Sequence, residues 1–150
     1  MNYCVQTNSA DETIALGRKV GEILKGENRT ISLAGDLGSG KTTFTKGFAQ
    51  ALGVDKDIKS PTFVMLKEYD YSAGKLVHVD AYRLTGDFED IGLSDYFGNA
   101  IVLIEWADNI AGLIPVDALR IEFEHFSKEE RKVCFKDNDR NWQRLLGGND

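Results

Sequence analysis

Apolar positions along the chain fall into short blocks whose spacing switches between two residues and three to four, as when strands alternate with helices. Asn2 to Gln6 alternates weakly and predicts a short strand. Ile14, Gly17, Val20, Gly21 and Leu24 recur at helical spacing, and Ser9-Ala10-Asp11-Glu12 before them has the S-x-x-E form of a capping box with acids in the first turn. This helix should end near Gly26. Thr30 to Ala34 is a β-favouring run, and Phe44, Phe48, Ala51 and Leu52 mark a second helix closing at Gly53. Phe63 to Asp70 and Lys75 to Asp80, joined through Ser72-Ala73-Gly74, predict an antiparallel hairpin. Ala100 to Glu105 is a compact apolar run, the pattern of a strand covered on both faces. Asp87 to Phe97 suggests one or two short helices, and Ala107 to Leu113 a helix stopped by Pro115. Leu119 to Glu124 and Lys132 to Lys136 alternate as partly exposed strands, and Asn141 to Leu146 gives a last helical turn.

One loop in this series carries chemistry. Gly35-Asp36-Leu37-Gly38-Ser39-Gly40-Lys41-Thr42 fits G-x-x-x-x-G-K-[ST], the phosphate-binding P-loop, and lies where that loop must, between a strand and the start of a helix. Its three glycines let backbone N–H groups converge on one anion, and the open helix N-terminus adds donors and the positive end of its dipole. Residues Gly38, Ser39, Gly40, Lys41, Thr42 and Thr43 are therefore the candidate nucleotide contacts, with Lys41 reaching the β- and γ-phosphates and the Thr42 hydroxyl ligating Mg²⁺. The expected fold class is α/β, a P-loop NTPase-like three-layer sandwich with a mostly parallel central sheet and antiparallel additions. The ligand should lie at the carboxyl ends of the central strands.

A P-loop hydrolase also needs a carboxylate near Mg²⁺ at the end of a neighbouring buried strand. Glu105 closes the run Ile101 to Ile104 and Asp80 closes Leu76 to Val79, so both are candidates. Glu105 is a strand terminus or a site residue; Asp80 is a site residue or the cap of a half-exposed hairpin strand. Thr62, in Ser60-Pro61-Thr62, stands where switch-type NTPases place a threonine that senses the γ-phosphate, although a strand-initiating turn fits equally. His78 alternates with valines and reads as packed or exposed rather than as a base; Arg83 either reaches a phosphate as a cis arginine or pairs with Asp87 or Glu89, and the sequence favours the pairing.

Composition narrows the partners. A chain of 150 residues, with 42% hydrophobic and 28% charged residues, suits one domain spanning 1–150. The formal net charge of −6 argues against a direct grip on nucleic-acid phosphates, while leaving a role through a protein partner open. Cys4 and Cys134 have neither C-x-x-C nor metal-ligand spacing and sit in alternating apolar runs, so buried reduced thiols are expected. No run is long enough to span a membrane and Met1 to Gln6 lacks a signal pattern, which together suggest a cytoplasmic protein with no membrane contact.

The motifs Gly-Asp-Leu-Gly-Ser-Gly-Lys-Thr-Thr, Ser-Pro-Thr-Phe, His-Val-Asp-Ala-Tyr-Arg and Ile-Glu-Trp, in this order, closely resemble the TsaE (YjeE) family, as does Glu89-Asp90-Ile91-Gly92-Leu93. The resemblance covers about Val5 to Phe126 and is not traced beyond it, and Ser39 stands where alanine is common in the family. It implies a small ATPase, using ATP and Mg²⁺, needed for the threonylcarbamoyladenosine (t6A) modification of tRNA at adenosine 37. It further implies binding to the TsaB–TsaD heterodimer, a functional link to TsaC, and only indirect contact with tRNA. By the same resemblance Lys41 and Thr42 keep their P-loop roles, Glu105 takes a Mg²⁺-linked role, Asp80 becomes a catalytic or metal-associated acid and Thr62 a switch threonine. Tyr82, Arg83 and Trp106 would lie around the nucleotide or the partner, with Ser9 and Arg131 on the adenosine side. A small-molecule kinase and a non-hydrolysing nucleotide-sensing adaptor are the alternatives.

Overall fold

Among the described residues, seven strands assemble one sheet in the order Asn2–Thr7, Arg131–Lys136, Leu119–His125, Thr30–Ala34, Ile101–Glu105, Gly74–Asp80, Leu66–Tyr71. The computed structural model describes residues 2–36, 38–54, 66–81 and 92–147. Thr62, Tyr82, Arg83 and residues 89–91, singled out from sequence, lie outside them. The strands are β1 (Asn2–Thr7), β2 (Thr30–Ala34), β3 (Leu66–Tyr71), β4 (Gly74–Asp80), β5 (Ile101–Glu105), β6 (Leu119–His125) and β7 (Arg131–Lys136); the helices are α1 (Ala10–Leu24), α2 (Lys41–Leu52) and α3 (Trp142–Gly147).

Four strands, β6-β2-β5-β4, are mutually parallel and form the middle of the sheet. The remaining pairings, β1 with β7, β7 with β6 and β3 with β4, are antiparallel. The α/β class therefore holds, but parallel pairing is confined to this central block instead of dominating the sheet. The hairpin also differs in its burial. β4 is covered from Leu76 to Asp80, because it pairs with β5 on its other side; its alternation alone would equally have suited a half-exposed strand.

Helices α1 and α2 cover one face with Val20, Leu24, Phe44, Phe48 and Leu52, against Ile31, Leu33, Leu76, Ile101 and Leu103 of the sheet. The other face, with Val77, Val79, Val102 and Ile104, packs against Leu93, Ala107 and Ile110 in short 3-10 turns at Leu93–Asp95 and Ala107–Leu113. Each fully buried Leu, Ile or Phe contributes about 1.5–3 kcal/mol. The helix pair is close because glycines face backbone. A Cβ at Gly21 would fall 2.7 Å from the Phe48 carbonyl oxygen, and Cβ atoms at Gly17 and Gly47 would collide with the Phe44 and Ile14 carbonyls. This contact fixes α2, and with it the loop that precedes it. Ser9 caps α1 by accepting from the Glu12 N–H at 3.1 Å, while the Glu12 carboxylate accepts from the Asn8 N–H at 2.9 Å.

The cysteine expectation is overturned: Cys4 and Cys134 form a disulfide. The β1–β7 register puts them directly opposite each other. Alternation turns Cys4 to the same side as exposed Asn2 and Gln6 rather than into the core. Such bonds are rare in reducing compartments, so the disulfide lends no support to the expected cytoplasmic location. Among the described residues, no helix is long and apolar enough to cross a membrane.

Candidate functional site

Parallel register brings three strand ends to one level. Leu33 of β2 lies opposite Glu105 of β5, and Asp80 of β4 lies opposite Glu105 on the other side. The Ala81 N–H continues that ladder, donating to the Glu105 carbonyl at 2.9 Å. The P-loop leaves β2 one residue later, so the loop, Glu105 and Asp80 converge at the carboxyl ends of the central strands, as the sequence predicts. Glu105 and Asp80 are 3% and 6% exposed.

The loop has the backbone that its glycines permit. Gly35, Gly38 and Gly40 have φ of 146°, 77° and 109°, a region costly for side-chain-bearing residues. At Gly35 space is also exhausted: a Cβ would fall 2.6 Å from the Phe123 carbonyl oxygen and 2.7 Å from Ser39 Oγ. Gly40 begins α2 without any side-chain cap, leaving the first-turn N–H groups without intrahelical partners. Ser39 Oγ is buried with no hydrogen-bond partner among the described residues. These are properties of an anion cradle.

Lys41, 4% exposed, turns back over that cradle. Its Nζ donates to the Gly35 carbonyl at 2.5 Å and lies 3.6 Å from the ring centroid of Trp106. Burial lowers the Lys41 pKa, opposed by the negative charges of Glu105, Asp80 and Asp36. Trp106, directly after β5, has a left-handed φ of 61°, an uncommon conformation for a bulky residue. Its contact with a desolvated ammonium is worth about 1–2 kcal/mol. Thr42 Oγ1 is 3.4 Å and 3.5 Å from the two Glu105 carboxylate oxygens.

The sequence-predicted residues are not all equally close to this centre. Thr43 lines a cleft beside the loop with Gly38, Gly40, Thr13 and Arg131. Arg131 Nη2 donates to the Gly38 carbonyl at 3.3 Å, and Nη1 to the carbonyls of Ser127, Lys128 and Glu130. Ser9 uses its hydroxyl to cap α1, and its neighbour Ala10 lines the cleft. The packed alternative for His78 holds, but sequence does not reveal its partner. His78 is fully buried, and its Nε2 lies 2.6 Å from Glu105 Oε2. The signal was present in the two-residue period, which turns Leu76, His78 and Asp80 to one face of β4; the strand that would meet that face was not readable.

Comparisons with known proteins bear on the family and the fold. The family model described as "Threonylcarbamoyl adenosine biosynthesis protein TsaE" matches residues 7–133. The tRNA threonylcarbamoyladenosine biosynthesis protein TsaE of Bacillus subtilis is 40% identical over 131 residues, 87% of this chain and 82% of that one. The protein of the same description from Aquifex aeolicus is 37% identical over 127 residues, 83% of this chain and 89% of that one. The crystal structure of Bacillus subtilis YdiB superposes with a TM-score of 0.81 at 32% identity, covering 98% of this chain and 93% of that one. On the match over residues 7–133 and these identities, the chain belongs to the TsaE family.

Proposed function

We propose that this protein binds Mg·ATP at the P-loop and hydrolyses it slowly, in support of tRNA threonylcarbamoyladenosine modification at adenosine 37. The observation that carries the reading is the convergence of Lys41, Thr42 and Glu105 at the ends of adjacent parallel strands. The glycine backbone, the uncapped α2 N-terminus and the orphaned Ser39 hydroxyl suit a polyphosphate. A threonine hydroxyl beside a carboxylate is a pair of hard oxygen donors. It suits Mg²⁺, which binds through one or two protein groups and completes its shell with phosphate and water.

In this reading Lys41 leaves the Gly35 carbonyl to meet the β- and γ-phosphates, and Thr42 and Glu105 hold the metal. The metal, when bound, neutralises charge growing on the phosphoryl oxygens. Asp80, level with Glu105, would act as a catalytic or metal-associated acid, and Thr62 would sense the γ-phosphate. Water attacks in line with the leaving group. The described part of the site offers carboxylates but no activated nucleophile, so unaided turnover is slow. The TsaB–TsaD heterodimer completes the site, TsaC supplies the threonylcarbamoyl donor, and these partners hold the tRNA. The net charge of −6 suits that division of labour.

The test is steady-state ATP turnover by the purified chain, alone and with TsaB–TsaD, alongside t6A content in cells depleted of this protein. Turnover should rise when the heterodimer is added, and t6A should fall on depletion. A rate indifferent to the heterodimer, with t6A unchanged on depletion, would contradict the proposal.

A further inference from the structure

The hydrogen bond between His78 and Glu105 has a use beyond packing. His78 is fully buried in β4, on the face that carries Asp80. Its Nε2 stands 2.6 Å from Glu105 Oε2, while its Nδ1 has no hydrogen-bond partner among the described residues. An imidazole kept only for volume would be better replaced by a leucine, since the apolar side chain leaves no polar atom unsatisfied. The carboxylate accepts, so the proton between the two groups belongs on Nε2; the tautomer with a bare Nδ1 also leaves no buried N–H unpaired.

The consequence concerns the other carboxylate oxygen. With Oε2 tied to His78, rotation of the Glu105 carboxyl group is restricted, and Oε1 stays 3.4 Å from Thr42 Oγ1. Partners of this kind orient metal-binding carboxylates, and their loss typically costs tenfold to a hundredfold in metal affinity or activity. We propose that His78 is a positioning residue: it holds Glu105 so that one carboxylate oxygen is presented, beside the Thr42 hydroxyl, to a divalent cation that arrives with the nucleotide. His78 itself touches neither nucleotide nor metal. This inference rests on the P-loop reading above.

Side-chain reach gives the test. The amide nitrogen of glutamine extends about as far as histidine Nε2, whereas that of asparagine stops near Nδ1. Binding of a non-hydrolysable ATP analogue is measured by calorimetry across a Mg²⁺ series for the parent, His78→Gln, His78→Asn and His78→Leu, with circular dichroism and thermal melting for each. His78→Asn and His78→Leu should need at least tenfold more Mg²⁺ for half-maximal enhancement of binding. His78→Gln should remain within about threefold of the parent, and affinity without Mg²⁺ should be the same in all four. Turnover should follow the same order through kcat, with KM for ATP at saturating Mg²⁺ little changed. If His78→Leu does not fold, the Asn and Gln variants, of similar polarity but different reach, still decide. Equal Mg²⁺ midpoints in those two variants, whether both like the parent or both shifted, would overturn the inference. A parent that binds the analogue without regard to Mg²⁺ would overturn the reading of the site itself.

Discussion

Two regions of this protein bury charge, and they treat it in opposite ways. Below β2 and β7, Arg29 grips Asp137 through two hydrogen bonds of 2.8 Å, Trp142 Nε1 donates to Asp137 Oδ2 at 2.7 Å, and the Asp139 N–H donates to Oδ1 at 2.9 Å. Arg29 Nη2, which also donates to Asp137 Oδ1, donates to the Asp117 carbonyl at 2.9 Å as well. Burial works against the Asp137 charge, but Arg29 and the other donors outweigh it and hold its pKa down to about 2. At the opposite end, burial lowers the Lys41 pKa despite three nearby carboxylates, Ser39 Oγ and His78 Nδ1 have no hydrogen-bond partner among the described residues, and Trp106 is held at positive φ. The first cluster satisfies its charges from within. The second leaves a buried hydroxyl, a buried ring nitrogen and a strained backbone uncompensated among the described residues, which costs stability.

The contrast can be broken by removing one group at a time. Asp137→Ala should produce the largest effect, a loss of about 3–5 kcal/mol in denaturant unfolding, because Arg29, Trp142 and the Asp139 N–H all lose the buried carboxylate they share; nucleotide affinity of the folded fraction should stay at the parent value. Cys4→Ser should cost about 2–4 kcal/mol in the same assay, since the disulfide closes a long loop of 130 residues along the edge joining the two regions. Nucleotide binding should again be unaffected. Glu105→Gln reverses the pattern. Mg²⁺-dependent turnover should fall about a hundredfold, equivalent to ~2.7 kcal/mol in the barrier, with unfolding free energy within about 1 kcal/mol of the parent. The smallest effect is in acid. Asp137 is depressed in the folded state, so its contribution is present above the ordinary carboxylate pKa of about 4 and drains away as pH falls toward 2. The stability gap between the parent and Asp137→Asn, followed by urea unfolding, should narrow across that window.

How far each region could be read from sequence follows from the range of its interactions. The P-loop is local: strand, glycines, lysine and helix lie within Thr30 to Leu52, and the strand formed as expected while the helix begins at Lys41, before the apolar spacing shows it. Glu105 was legible because an apolar run ending in a charge is itself an unusual pattern. The central place of β4 was not, since β5, its parallel neighbour, comes 20 residues after β4 ends, and alternation is silent about a partner. His78 fell to the same gap, its face being predictable and its contact not. The Cys4–Cys134 bond depends on the register of strands from the two ends of the chain. Neither spacing nor burial pattern carries that register. The Arg29–Asp137–Trp142 cluster joins residues more than a hundred positions apart, and no motif announces it.

The most direct test of this contrast is a calorimetric titration of Lys41→Met with a non-hydrolysable ATP analogue and Mg²⁺, paired with its unfolding free energy. The account predicts that affinity falls at least tenfold, the scale of one or more lost charged hydrogen bonds, while stability is equal to or greater than the parent's because a desolvated ammonium has been removed. A variant that binds the analogue as tightly as the parent, or that loses several kcal/mol of stability, would contradict it.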